Sequence, residues 1–204
     1  MDRRVIGISR SLGAGGEEVA RLVSEKLGFR LVDDEIVARA AEKAGVTPSS
    51  MEKVERSPSL IERILKYMGT APVEAGFGAY VPPAVGASES YEGIIISVIR
   101  EVAAAGNVVI LAHGASIPLA GTDGLLRVLV TGSGEARAAR LASQGTDSGK
   151  ARKRVDESDE QRREYLQRFY DIRQESPALY DLIINTDSIA PASAAALVAA
   201  AARG

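Results

Sequence analysis

Residues 4–20 read Arg-Val-Ile-Gly-Ile-Ser-Arg-Ser-Leu-Gly-Ala-Gly-Gly-Glu-Glu-Val-Ala. An apolar run breaks at a glycine-rich turn, and the turn opens into a helical pattern. The sequence predicts a buried strand over residues 5–9 and a helix over residues 17–27. Val19, Leu22, Val23 and Leu27 share one face of that helix, and Gly28 caps its end. A strand, a tight glycine turn and a helix in this order make an anion cradle. Successive backbone N–H groups curl around the anion, and the helix N-terminus adds partial positive charge. Gly13, Gly15 and Gly16 permit the positive φ angles that such a turn needs.

The phosphate-loop pattern GxxxxGK[ST] is incomplete here. Gly16 stands at the lysine and Glu17 at the hydroxyl residue. The lysine supplies a point charge and the hydroxyl a metal ligand, whereas the cradle itself is made of main chain. Arg10 offers a replacement charge. Glu17 and Glu18 suit the helix dipole but oppose a phosphate that they face. The alternative is a tight strand–helix turn with no ligand. A dinucleotide fingerprint, GxGxxG, fits at Gly13 and Gly15, with Asp33 and Asp34 at the right distance. Its third position is Glu18, which blocks close helix–sheet packing.

The alternation continues beyond the turn. Strands are expected over residues 30–32, 108–112, 125–131 and 180–185, and helices over 34–44, 91–105, 133–144, 150–173 and 191–203. Asp34 and Ser133 are N-cap candidates. Residues 46–90 break the pattern, with two short helices expected near 50–56 and 59–68. A Gly/Pro/Ala-rich loop follows over 76–88. Five strands with helices between them imply an α/β fold, a three-layer α/β/α sandwich around a parallel sheet. Ligands of such folds sit at the carboxyl ends of the strands, where residues 10–16 lie.

Composition narrows the function. The 204 residues suit one domain, and a net charge of −2 gives no field for nucleic acid or an acidic membrane. The absence of cysteine excludes thiolate nucleophiles, disulfides and Cys-bound zinc. The first residues do not read as a signal peptide, and no apolar run approaches the ~20 residues of a membrane span. A cytoplasmic protein with small-molecule partners is expected.

Three segments then carry a resemblance: ISRSLGAGGEEVARLVSEKLGFRLVDDEIVARAA, VVILAHGAS, and DESDEQRREYLQRFY followed by YDLIINT. They resemble the cytidylate kinase-like family, relatives of the nucleoside monophosphate kinases whose variant loop lacks the lysine. The resemblance implies a P-loop nucleotide kinase fold that uses ATP and Mg²⁺. It also implies a helical insert (residues 46–90) over the acceptor and an arginine-bearing lid (residues 145–163). It places Ser11, Gly13, Ala14, Gly15, Gly16 and Glu17 at the nucleotide. It puts Asp33 and Arg39 at the acceptor, and Arg137 and Arg140 in an RxxR pair before the lid. Asp159 and Arg163 fall on lid positions. The chain departs from the family where cytidylate kinases carry Gly-Arg-Asp after the third strand, since it has His113-Gly114-Ala115. It departs again at Ser158, where a lid arginine is usual.

Phosphoryl transfer rests on positioning and on cancelling charge, and arginine forks match phosphate oxygens. Arg10 in the loop, and Arg140, Arg154 and Arg163, which the resemblance places toward the lid, are the candidate catalytic residues. A salt-bridged, solvated helix face explains the same arginines through Asp156, Glu157, Asp159, Glu160 and Glu164. His113 ends a buried strand beside the expected ligand site. Contact with a ligand and packing both remain open for it, and no GxSxG elbow supports a hydrolase. Tyr165, Phe169 and Tyr170 read as a core stripe. Two functions follow: ATP-dependent phosphorylation of a nucleoside monophosphate, or nucleotide binding without catalysis.

Overall fold

A computed structural model describes residues 3–44, 91–111 and 114–204. The two short helices expected near 50–56 and 59–68, the loop 76–88 and His113 lie outside the described residues. The chain divides into two compact units, one formed by residues 1–33 and 99–204, the other by residues 34–98.

The first unit holds β1 (Val5–Arg10), α1 (Gly16–Leu27) and β2 (Arg30–Val32). Helix α3 (Tyr91–Ala104) runs into it. β3 (Val108–Leu111), β4 (Leu125–Thr131), α4 (Gly134–Ser143), α5 (Ser148–Tyr170), β5 (Leu182–Asn185) and α6 (Pro191–Arg203) follow. Among the described residues the strands form one five-stranded parallel sheet in the order β2-β3-β1-β4-β5. This order puts β1 at the centre: its own crossover runs to β2 on one side, and the crossover from β3 passes β1 to reach β4 on the other. Such a switch point opens a crevice at the carboxyl ends of the strands.

α1 and α6 pack on each other and cover one face of the sheet. Ile6, Ile8, Val109, Val128, Val130 and Ile184 from the strands meet Val19, Val23, Ala194, Ala195 and Val198 from the helices in one core. Every residue of β3 is buried, as a central strand covered on both faces requires. α4 and α5 form a helical pair around Leu141, Ala151 and Val155. Leu12 of the glycine loop packs into that cluster. In the second unit, α2 (Glu35–Ala44) buries Ile36, Ala40 and Ala41, and Ala38 N–H donates to the Asp34 carbonyl at its start (3.2 Å).

Several boundaries differ from expectation. β1 runs one residue further, because Arg10 pairs with Val130 of β4. α5 begins at Ser148, since the Asp147 carboxylate accepts from Lys150 N–H (3.1 Å) and draws Gly149 into the first turn. It stops at Tyr170 because Asp171 turns left-handed (φ 52°). The last strand starts at Leu182, after a 3-10 turn over Pro177–Leu179.

Candidate nucleotide site

The loop after β1 is fixed by its carbonyls. Ser11 N–H donates to the Val130 carbonyl (3.0 Å), and its hydroxyl lies 3.0 Å from that of Thr131. Ala14 N–H donates back to the Ser11 carbonyl, closing a tight turn. The Ala14 carbonyl then accepts from the Thr186 hydroxyl (2.9 Å). The Leu12 carbonyl accepts from Arg137 Nη1 (3.3 Å), and the Gly13 carbonyl from Arg140 Nη1. Every loop carbonyl from Ser11 to Ala14 is therefore held by the protein. The N–H groups of Gly13, Gly15 and Gly16 donate to nothing among the described residues. Carbonyls satisfied inward and amides left over is the polarity an anion cradle needs.

Two glycines are dictated by close approach. Gly13 has φ 78°, and a Cβ there meets the Arg137 carbonyl oxygen at 2.6 Å. At Gly16 a Cβ meets Arg10 Cβ at 2.5 Å and Cδ at 3.0 Å. Arg10 occupies the place of the first glycine of GxxxxGK[ST], and its side chain lies across the position where that pattern puts lysine. Arg10 Nε is 2.7 Å from Glu17 Oε1. The contact is an ion pair without hydrogen-bond alignment, and buried Nε is left with no hydrogen-bond acceptor.

The arginines sort by helix face. Arg137 is 5% exposed and grips both oxygens of Asp159 (2.9 and 2.6 Å) while its Nε donates to the Gly132 carbonyl. Arg140 also donates to the Thr186 carbonyl (2.9 Å). Both members of the RxxR pair thus tie α4 to the loop. Arg154 donates to the Thr146 hydroxyl, and Arg163 pairs with Glu160, both on the exposed side of α5. Arg162, which sequence reasoning did not single out, turns inward. It forms a bidentate pair with Glu175 (2.9 and 2.6 Å), meets the Tyr180 hydroxyl and reaches the Arg10 carbonyl (3.5 Å). Burial alone raises the Glu175 pKa, but the hydrogen bonds and charge of Arg162 hold it below its ordinary value. Burial likewise raises Tyr180 above its ordinary value, with the Glu175 carboxylate adding to the shift.

Of the expected acceptor residues, Asp33 is half-buried after β2. Arg39 pairs with Glu35 on α2 (2.6 Å). At Gly114 a Cβ meets Tyr170 Cε2 at 2.7 Å, and φ is 59°. The aromatic cluster of Tyr165, Phe169 and Tyr170, with Tyr165 and Phe169 stacked at 4.3 Å, therefore fills the room of a side chain at this position. Among the described residues no group of three or more His, Cys, Asp or Glu side chains is placed to hold a metal ion. No described helix is long and apolar enough to cross a membrane.

No curated protein sequence matches the chain. Solved structures share its fold at low identity. An uncharacterized protein from Eubacterium ventriosum ATCC 27560 has a TM-score of 0.65 at 15% identity, covering 98% of both chains. A shikimate kinase from Bacteroides thetaiotaomicron has a TM-score of 0.52 at 14% identity, covering 96% of this chain and 95% of that one. A gluconokinase from Sinorhizobium meliloti 1021 has a TM-score of 0.51 at 11% identity, covering 98% and 94%. The fold is thus that of the P-loop kinases. The profile of the cytidylate kinase-like family matches residues 5–188, and the chain belongs to that family.

Proposed function

We propose that the protein is a nucleotide kinase that transfers a phosphoryl group from ATP to a nucleoside monophosphate. The polarity of the loop carries this reading: the carbonyls of residues 11–14 are consumed, while the amides of Gly13, Gly15 and Gly16 are available. Polyphosphate oxygens accept from those amides, Ser11 and Ala14 shape the turn, and Arg10 stands beside them as the mobile cation. Arg140 acts by fixing the Gly13 carbonyl, so that the neighbouring amides are set before the ligand arrives. Arg154 and Arg163 are the solvent-facing guanidiniums assigned to the migrating phosphoryl group. Asp33, Arg39 and His113 are assigned to the acceptor by family resemblance. Mg²⁺ would enter with the nucleotide and would supply charge neutralisation at its phosphates.

A second reading has its own observation. Arg137 and Arg140 are both engaged by the protein itself, which suits a nucleotide-binding protein that does not turn over. One assay separates the two. Incubation with ATP, Mg²⁺ and a panel of nucleoside monophosphates yields diphosphate product if the chain is a kinase. Arg10→Ala then lowers kcat/KM by about 10- to 100-fold, as loss of a charge at the phosphates does. An ATP-dependent rise in melting temperature without product supports the binder. The absence of both product and stabilisation in the presence of Mg²⁺ refutes both readings.

A further inference from the structure

We propose that Glu17 is a built-in competitor for Arg10, so that a phosphate ligand recruits the guanidinium only by displacing the Glu17 carboxylate. This rests on the nucleotide-site reading above and adds to it what restrains Arg10 before the ligand arrives. The loop has exchanged two residues of the usual pattern, with arginine at the first glycine and glycine at the lysine. Arg10 is held at its root, because its amide and carbonyl lie in β1 and its carbonyl receives Arg162. Its aliphatic stem lies over Gly16, where a Cβ has no room. Its head is not firmly held. The Nε sits 2.7 Å from the Glu17 carboxylate without hydrogen-bond alignment, and the two side chains are 27% and 53% exposed.

A pair this exposed favours its bound state by about two- to fivefold. An incoming anion can take the guanidinium from Glu17 only if it binds Arg10 more strongly than that carboxylate does. Any phosphate ligand that recruits Arg10 therefore meets the same displacement cost, whatever else it contacts. Glu18, one residue on and exposed, makes no pair with Arg10 and serves as the control for simple repulsion.

The test is calorimetric titration of the full chain with ATP, and with inorganic phosphate as competitor. The proteins are wild type, Glu17→Gln, Glu18→Gln, Arg10→Ala and the Arg10→Ala/Glu17→Gln double variant, with melting temperatures to establish folding. Glu17→Gln is expected to tighten ATP and inorganic phosphate alike, each by about two- to fivefold. Glu18→Gln is expected to change neither. The gain from Glu17→Gln is expected to vanish when Arg10 is already alanine. An equal gain in the Arg10→Ala background overturns the proposal in favour of plain repulsion. Wild-type ATP binding with no gain in Glu17→Gln overturns it while leaving the nucleotide site standing. No ATP binding by any of the proteins overturns both.

Discussion

Gly13 and Gly16 are constrained by different neighbours, and their substitution separates stability from binding. Gly13→Ala forces a Cβ against the Arg137 carbonyl at a positive φ, both backbone features that cannot move aside. It is expected to cost about 1–3 kcal/mol, read as a lowered melting temperature. Gly16→Ala meets the side chain of Arg10 instead. It is expected to displace that arginine and weaken ATP binding by more than it lowers stability. The residues of the loop were legible in the sequence because glycine spacing reports backbone conformation directly. The partners of the loop carbonyls were not. Arg137, Arg140 and Thr186 lie 125 to 172 positions away from the carbonyls they meet, and no local pattern records such a contact.

At the scale of the element, α5 shows what periodicity can and cannot give. Val155, Asp159, Arg162, Leu166 and Phe169 recur at alternating spacings of four and three, the period of one helical face. Val155, Leu166 and Phe169 are buried, and Asp159 and Arg162 lie on the same stripe with their partners Arg137 and Glu175. The charged residues interrupting an apolar stripe were the readable signal for Arg162. Arg154 and Arg163 lie off the stripe and are exposed. Asp159→Ala leaves the buried Arg137 guanidinium with only carbonyl partners. It is expected to cost about 2 kcal/mol in denaturant unfolding and to raise amide exchange at the junction of α4 and α5. Glu175 supplies a pH test. Its folded-state pKa lies below the ordinary value of 4.5, so its contribution is present above about pH 4.5 and is lost as pH falls through the folded value. The melting temperature is expected to decline in acid below that point. Glu175→Gln is expected to lower the plateau and flatten the decline.

At the scale of the molecule, the strand order β2-β3-β1-β4-β5 brings the ends of β1, β4 and β5 together, and with them residues 10–16, 131–133 and 186–187. The alternation of strands and helices made the parallel sheet legible, because each apolar run is bounded by its own glycine or cap residue. Strand order was not legible, since it depends on which crossover passes over which strand. The whole arrangement converges on one claim: main-chain amides at the head of α1 receive the phosphates of a nucleotide in a loop without the usual lysine. Amide NMR of the labelled chain during ATP titration tests it most directly. Saturable shifts at Gly13, Gly15 and Gly16, weakened in Arg10→Ala, are the predicted result. ATP binding that leaves those three amides unmoved, or no binding at all, contradicts it.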